Sequence, residues 1–403
     1  MKKTTFNLFG NLINNIRTNP VFHISQSNRE LFHSNFLAWL LETGTVEDSK
    51  IDVTNIINFF TPKGTGTKGL ELYKVLREKA KLDLLLIFTT PDIIEKLKKS
   101  ETALLTKDEI NSFKFVVIEN KFKSVPSADQ LKKYSEKLQK GISVLETQKH
   151  VKAKDENTTC YILAPDFYLK ALEEVPGWYK KSYEIYIEEL YSTLSKSEPE
   201  TKSSEDDIFI RKYLENYTVL LRDTMLLFRA AFDDYKKNNG ITPSPDNLKK
   251  IKAIRLHDLY EKNYFQLVLN DLEINCDSKD TGYSHGSGFI EWFVFDKAFR
   301  FKALVQIQQG AFEIGICNFT EKGFTSKNQK KVYDFSKKCF EELKATKPYG
   351  LIFDDTINSE HKFGDYKYRT VKIDDSARFK ELETTIQKTI KIIQKNIKML
   401  NNN

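Results

Sequence analysis

The sequence predicts an α/β layered unit followed by an α+β region. Two observations lead there. Amphipathic helices alternate with short, almost wholly apolar strands through about residue 192, the pattern of a sheet covered by helices. Beyond residue 247 a helix gives way to strands at hairpin spacing, 289–295, 299–308 and 312–319, and a last amphipathic helix occupies 377–400.

The first helix covers 28–42, where Leu31, Phe32, Phe36, Leu37, Leu40 and Leu41 make one stripe, Glu30 falls in the first turn and Gly44 is a stop signal. A short helix over 53–60 and a Gly-rich loop lead to strands near 71–77 and 81–88. The second strand is apolar throughout except for Asp83. Residues 89–112 are polar, helical in part, and read as an insertion before the strand 113–119. A helix over 129–139 and a buried strand over 159–164 follow. The polar linker 194–205 precedes a long helix, 206–237, and the break 238–246 precedes a helix over 247–269. The expected organisation is a core over 1–192, a bracing helix over 206–237 and an α+β accessory domain over 247–403.

A length of 403 residues fits two or three domains, and 40% apolar against 30% charged residues excludes a disordered chain. A net charge of +7 permits a polyanionic partner without demanding one. Cys160, Cys276, Cys317 and Cys339 are far apart, so neither a zinc site nor a disulfide framework is indicated and a reducing cytoplasm fits. No membrane span and no secretory leader are expected.

The chemistry concentrates in two strands. An ionised carboxylate inside a Val/Leu/Ile strand is costly unless compensated, and Asp83 and Glu119 on adjacent strands would also repel each other. A divalent cation relieves both costs. Glu119 and Lys121 are two apart, hence on one strand face, where a lysine can position water or offset charge building on a phosphate. That is the minimal equipment for phosphodiester hydrolysis.

Asp83, then Ile118-Glu119-Asn120-Lys121, then the helix turn from Gln130 to Tyr134 resemble the PD-(D/E)XK nuclease superfamily, whose RecB-like branches carry a Gln-x-x-x-Tyr motif. With the helix from Arg29 to Leu41, these segments are similar to a bacterial family of that superfamily often linked to phage defence. Segments 160–166 and 181–186 resemble its later core strands; the resemblance spans about 25–235 and is loose after 245. It implies a restriction-endonuclease-like core, a mixed central sheet flanked by helices. It also implies that Asp83 and Glu119 bind Mg²⁺ or Mn²⁺, with Glu30 as the first-helix acid, and that Lys121 serves the attacking water. Gln130 and Tyr134 would face the site, and cleavage would leave a 5′-phosphate. The departures are a long Asp83-to-Glu119 gap, no proline before the aspartate, and Glu78 as a rival third acid whose simpler reading is an exposed hairpin charge.

Other signals carry less. Gly64 to Gly69 matches G-x-G-x-x-G but lies between a helix and a strand, the wrong order for a dinucleotide site. The loop Tyr283 to Gly288 is a candidate ligand loop whose plainer reading is a hairpin turn, and the aromatic-lysine stretch 362–369 reads as an edge strand. Two functions remain open: a metal-dependent nuclease acting on DNA, with RNA as the alternative substrate, or a silent or trigger-dependent nucleic-acid-binding subunit of a larger complex. The region 247–403 would then recognise substrate, a partner subunit or a second copy.

Overall fold

Runs of Leu, Ile, Val and Phe without polar alternation form strands only where both sheet faces are covered. In the computed structural model the first sheet draws on β1 (Glu71–Arg77), β2 (Leu84–Thr89), β3 (Lys114–Asn120), β6 (Thr158–Ala164) and β7 (Trp178–Ser182). Between β3 and β6 a small ribbon pairs β4 (Ile142–Ser143) with β5 (Lys152–Ala153). The five strands lie in the order β1-β2-β3-β6-β7. The β1/β2 and β2/β3 pairs are antiparallel, and the β3/β6 and β6/β7 pairs are parallel, so the sheet is mixed and changes sense at β3.

The structure describes residues 2–19, 21–22, 29–44, 51–61, 69–122, 128–196, 205–238, 240–284, 286–295, 301–318, 326–353, 360–363 and 366–400. The loop residues 62–68 and His285 therefore lie outside the described residues, as does the side chain of Glu30. The chain divides into two compact units, Asn14–Met225 and Met1–Ile13 together with Leu226–Asn403.

In the first unit, α1 (Lys2–Thr18), which begins in the other unit, is followed by α2 (Arg29–Gly44) and α3 (Thr54–Phe60). The insertion between β2 and β3 is two helices, α4 (Pro91–Lys99) and α5 (Lys107–Asn111), tied by a Lys96–Glu109 ion pair of 2.8 Å. Then come α6 (Ala128–Lys140), α7 (Asp166–Ala171), α8 (Tyr183–Lys196) and the long α9 (Glu205–Asn238), which runs on into the second unit. Leu85, Ile87, Phe115 and Val117 pack with Leu131, Tyr134 and Leu138 of α6. Leu84, Leu86 and Ile118 point the other way and are equally buried.

In the second unit, the single helix expected over 247–269 is two, α10 (Pro245–Lys252) and α11 (His257–Asp271). The break contains Arg255 at φ 55°, a left-handed conformation that no glycine announces. A seven-stranded antiparallel sheet follows: β8 (Ser278–Ser284), β9 (Ser287–Phe295), β10 (Phe301–Gln308), β11 (Ala311–Asn318), β12 (Leu351–Ile352), β13 (Glu360–Phe363) and β14 (Tyr366–Ile373). One face, with Trp292, Val305 and Ile314, packs on α11, on α12 (Ser326–Ala345) and on α13 (Phe379–Asn396). On the other face the register lines up Asp280, Glu291, Gln306 and Glu313 across four neighbouring strands. Burial, with Asp280 and Glu313 behind it, pushes Glu291 up to about 8, and burial pushes Glu313 up to about 7.

None of the four cysteines is in a disulfide, and among the described residues no helix is long and apolar enough to cross a membrane. Coverage of both faces of β2 has a direct consequence. Leu85→Ala and Leu86→Ala each lose about 2–5 kcal/mol in denaturant unfolding; a strand with one wet face would tolerate one of the two.

Candidate active site

The turn that delivers Asp83 is built against backbone preference. Glu78, Ala80 and Lys81 sit at φ 52°, 55° and 69°, the left-handed region, where each non-glycine residue costs about 1–3 kcal/mol. Hydrogen bonds hold the turn: the Glu78 amide donates to the Asp83 carbonyl at 3.1 Å, and Lys137 Nζ of α6 donates to the Ala80 carbonyl at 2.9 Å. Asp83 consequently stands one residue ahead of β2 and not inside the strand, as the apolar run had led us to expect. Its side chain takes over where the backbone ladder stops. The β2/β3 register ends at Leu84↔Ile118, and the next β3 amide toward that side, from Asn120, donates to Asp83 Oδ2 at 2.8 Å.

Glu119 is the penultimate residue of β3 and is 1% exposed. Lys121 follows the strand directly, its amide donating to the Leu163 carbonyl of β6 at 2.8 Å, which continues the parallel pairing by one step. Lys121 Nζ lies 2.9 Å from Glu119 Oε1. From α6, Gln130 Nε2 donates to the same oxygen at 2.8 Å and to the Tyr134 hydroxyl at 2.7 Å, while the Tyr134 hydroxyl is 3.5 Å from Glu119 Oε1. Thus Asp83, Glu119, Lys121, Gln130 and Tyr134 come together. Gln130 and Tyr134 are one turn apart on α6, whose Leu131 and Leu138 are in the core.

The two oxygens of Glu119 are treated differently. Oε1 takes every contact just named; Oε2 is buried and, among the described residues, takes no hydrogen bond. Burial first, then the nearby charge of Asp83, raises the Glu119 carboxyl to about 7 despite Lys121. An orphaned carboxylate oxygen beside a second carboxylate is the donor chemistry of a hard divalent cation, so the residues present fit one. Among the described residues no group of three or more His, Cys, Asp or Glu is gathered to hold a metal ion. Glu78 is exposed in the turn, as a hairpin charge would be, and contributes its backbone amide. Glu30 lies on α2, where Ser34, one turn further on, hydrogen-bonds Asn120.

Sequence reasoning passed over Asn120. It is 1% exposed, its Nδ2 donates to Ser34 Oγ at 3.2 Å, and the Tyr183 hydroxyl donates to its Oδ1. The Tyr183 ring that reaches it packs edge-on against Phe122 and His33, whose own rings are centred 3.9 Å apart, and His33 Nδ1 is 3.2 Å from the Tyr217 hydroxyl. The signal was available: a polar residue between Glu119 and Lys121 must face the opposite side of a strand buried on both faces.

Residues 20–215 match the family model of the PD-(D/E)XK nuclease superfamily. Neither a curated protein nor a solved structure matches the chain.

The raised Glu119 carboxyl binds its proton more tightly in the folded than in the unfolded chain. Stability from this group is therefore present in acid and lost as pH rises from about 4.5 to about 7. In EDTA, the stability gained by Glu119→Gln over wild type is larger at pH 8 than at pH 5 by ~1–3 kcal/mol, read from denaturant melts; a gain independent of pH would mean that Glu119 is ionised throughout.

Proposed function

We propose, for a chain whose residues 20–215 belong to the PD-(D/E)XK nuclease superfamily, that it hydrolyses phosphodiester bonds in DNA in a divalent-cation-dependent reaction. The observation that carries the reading is Glu119 Oε2, buried beside Asp83 with no hydrogen-bond partner among the described residues, and Lys121 Nζ 2.9 Å from the other oxygen. Nucleases of this superfamily typically use divalent metals.

Asp83 and Glu119 are the residues that would hold Mg²⁺ or Mn²⁺, and the bound ion supplies Lewis acidity to the phosphoryl oxygen. The chain does the rest. Gln130, Tyr134 and Lys121 all engage Glu119 Oε1 and leave Oε2 to a cation. The ammonium of Lys121 orients the attacking water and offsets the charge that grows on the phosphate as the water oxygen bonds to phosphorus and the P–O bond to the leaving sugar breaks. Glu30, the first-helix acid of the family resemblance, is favoured over Glu78 as a third acid, because Glu78 is exposed in its turn. Action in the cytoplasm, a role in phage defence and recognition through residues 247–403 complete the reading; the seven-stranded antiparallel unit is a separate body that the chemistry of Asp83 and Glu119 does not require.

The test is cleavage of supercoiled and linear plasmid DNA with Mg²⁺, with Mn²⁺ and with EDTA. Wild type cuts only with a cation, and Lys121→Ala lowers the rate by about 10²–10³-fold or more. Cutting that survives in EDTA would overturn the mechanism. Failure to cut, together with no Mn²⁺ binding that Asp83→Ala abolishes, would turn the reading toward a silent binding module.

A further inference from the structure

We propose that Asn120 is a positioning residue that holds the Asp83–Glu119 pair in cation-binding geometry, with Ser34 and Tyr183 as its supports. The inference rests on the nuclease reading and extends it to the side of β3 turned away from the site.

The peptide that joins Glu119, Asn120 and Lys121 is gripped in two directions. Toward β2, the Asn120 amide donates to Asp83 Oδ2 at 2.8 Å; toward β6, the Lys121 amide donates to the Leu163 carbonyl at 2.8 Å. These bonds fix height and tilt in the plane of the sheet but leave rotation about the strand axis, to which the last residues of a strand are most prone. The Asn120 side chain stops that rotation. Projecting to the far face, its amide is clamped from α2 by Ser34 Oγ at 3.2 Å and from the start of α8 by the Tyr183 hydroxyl.

A primary amide in an aromatic pocket is costly unless its donors and acceptor are engaged, and here both ends are. Two polar contacts from two separate helices define an orientation that apolar packing would define only loosely. Because successive side chains alternate, turning Asn120 by any angle turns Glu119 and Lys121 by the same angle and drags the amide that holds Asp83. The clamp on one face is thus the setting of the carboxylates on the other. The valine or isoleucine typical of this strand would bury as well as Asn120 but could not be held in one rotation by two hydroxyls.

The test is Mn²⁺ affinity by calorimetry on the full chain, below the melting temperature of every variant. Asn120→Ala keeps the backbone amide and removes the clamp; affinity is expected to fall about 10–100-fold, the usual cost of losing a group that orients a metal ligand. Ser34→Ala and Tyr183→Phe each remove one support and lower affinity by less, and adding Ser34→Ala to Asn120→Ala changes nothing further. Leu190→Ala, a core deletion seven residues beyond Tyr183 on α8, lowers the melting temperature without moving the affinity. Should Asn120→Ala fail to fold, Ser34→Ala and Tyr183→Phe carry the test. Variants that melt lower yet bind Mn²⁺ like Leu190→Ala overturn the positioning role and leave the nuclease reading standing. A wild type that binds no Mn²⁺ overturns both.

Discussion

The first unit is organised by one expensive act, the burial of Glu119 at the end of a strand whose core positions, Phe115 to Ile118, are hydrocarbon. A carboxylate stripped of water costs several kcal/mol unless neighbours return what the solvent gave. Lys121, Gln130 and Tyr134 return part of it, all to one oxygen. Asp83 makes matters worse by adding a second negative charge, and is itself secured by a backbone amide of the strand that carries Glu119. Among the described residues the second oxygen has no hydrogen-bond partner, and the carboxyl is raised accordingly.

Topology explains why this imbalance falls at the end of β3. That strand is the seam of the sheet, antiparallel to β2 on one side and parallel to β6 on the other. The antiparallel neighbour brings the start of β2, with its strained turn and Asp83, level with the end of β3. The parallel neighbour extends one step further and supports Lys121. Ligand sites in sheets with parallel strands gather at such carboxyl ends, where chain direction and loops leave room that the helices do not fill.

Much of the site was legible because period and chemistry agree. Glu119 and Lys121 are two apart, Gln130 and Tyr134 four apart, and the spacing alone brings each pair to one face. The α/β layering followed from apolar strands alternating with helices, and the mixed sheet from the family resemblance; the strand order had no signal in the sequence. What was not legible came from backbone conformations that the residues do not advertise. Glu78, Ala80, Lys81 and Arg255 adopt positive φ without a glycine or asparagine among them, which moved Asp83 out of its strand and split α10 from α11. In the second unit, α12 escaped notice because its lysines dilute the apolar stripe of Val332, Phe335, Cys339, Phe340 and Leu343. The acid row of Asp280, Glu291 and Glu313 is invisible until strand register is known, since each acid sits alone in its own strand.

Strand β7 closes the first sheet, and what lies along it bears on a hazard unrelated to catalysis. The outer strand of a sheet offers unpaired amides and carbonyls to any extended segment that drifts by. In β7 the two central lysines are not idle. Lys180 Nζ is anchored to the Leu169 and Leu172 carbonyls at 2.8 and 2.6 Å, and Lys181 Nζ lies over the rings of Phe59 and Tyr161 at 4.6 and 5.2 Å. Held in place, two adjacent positive charges make an approaching strand bury or displace them before it can pair. The parallel half of the sheet, slow to assemble and exposed while it does so, is thereby protected from templating aggregation at its border.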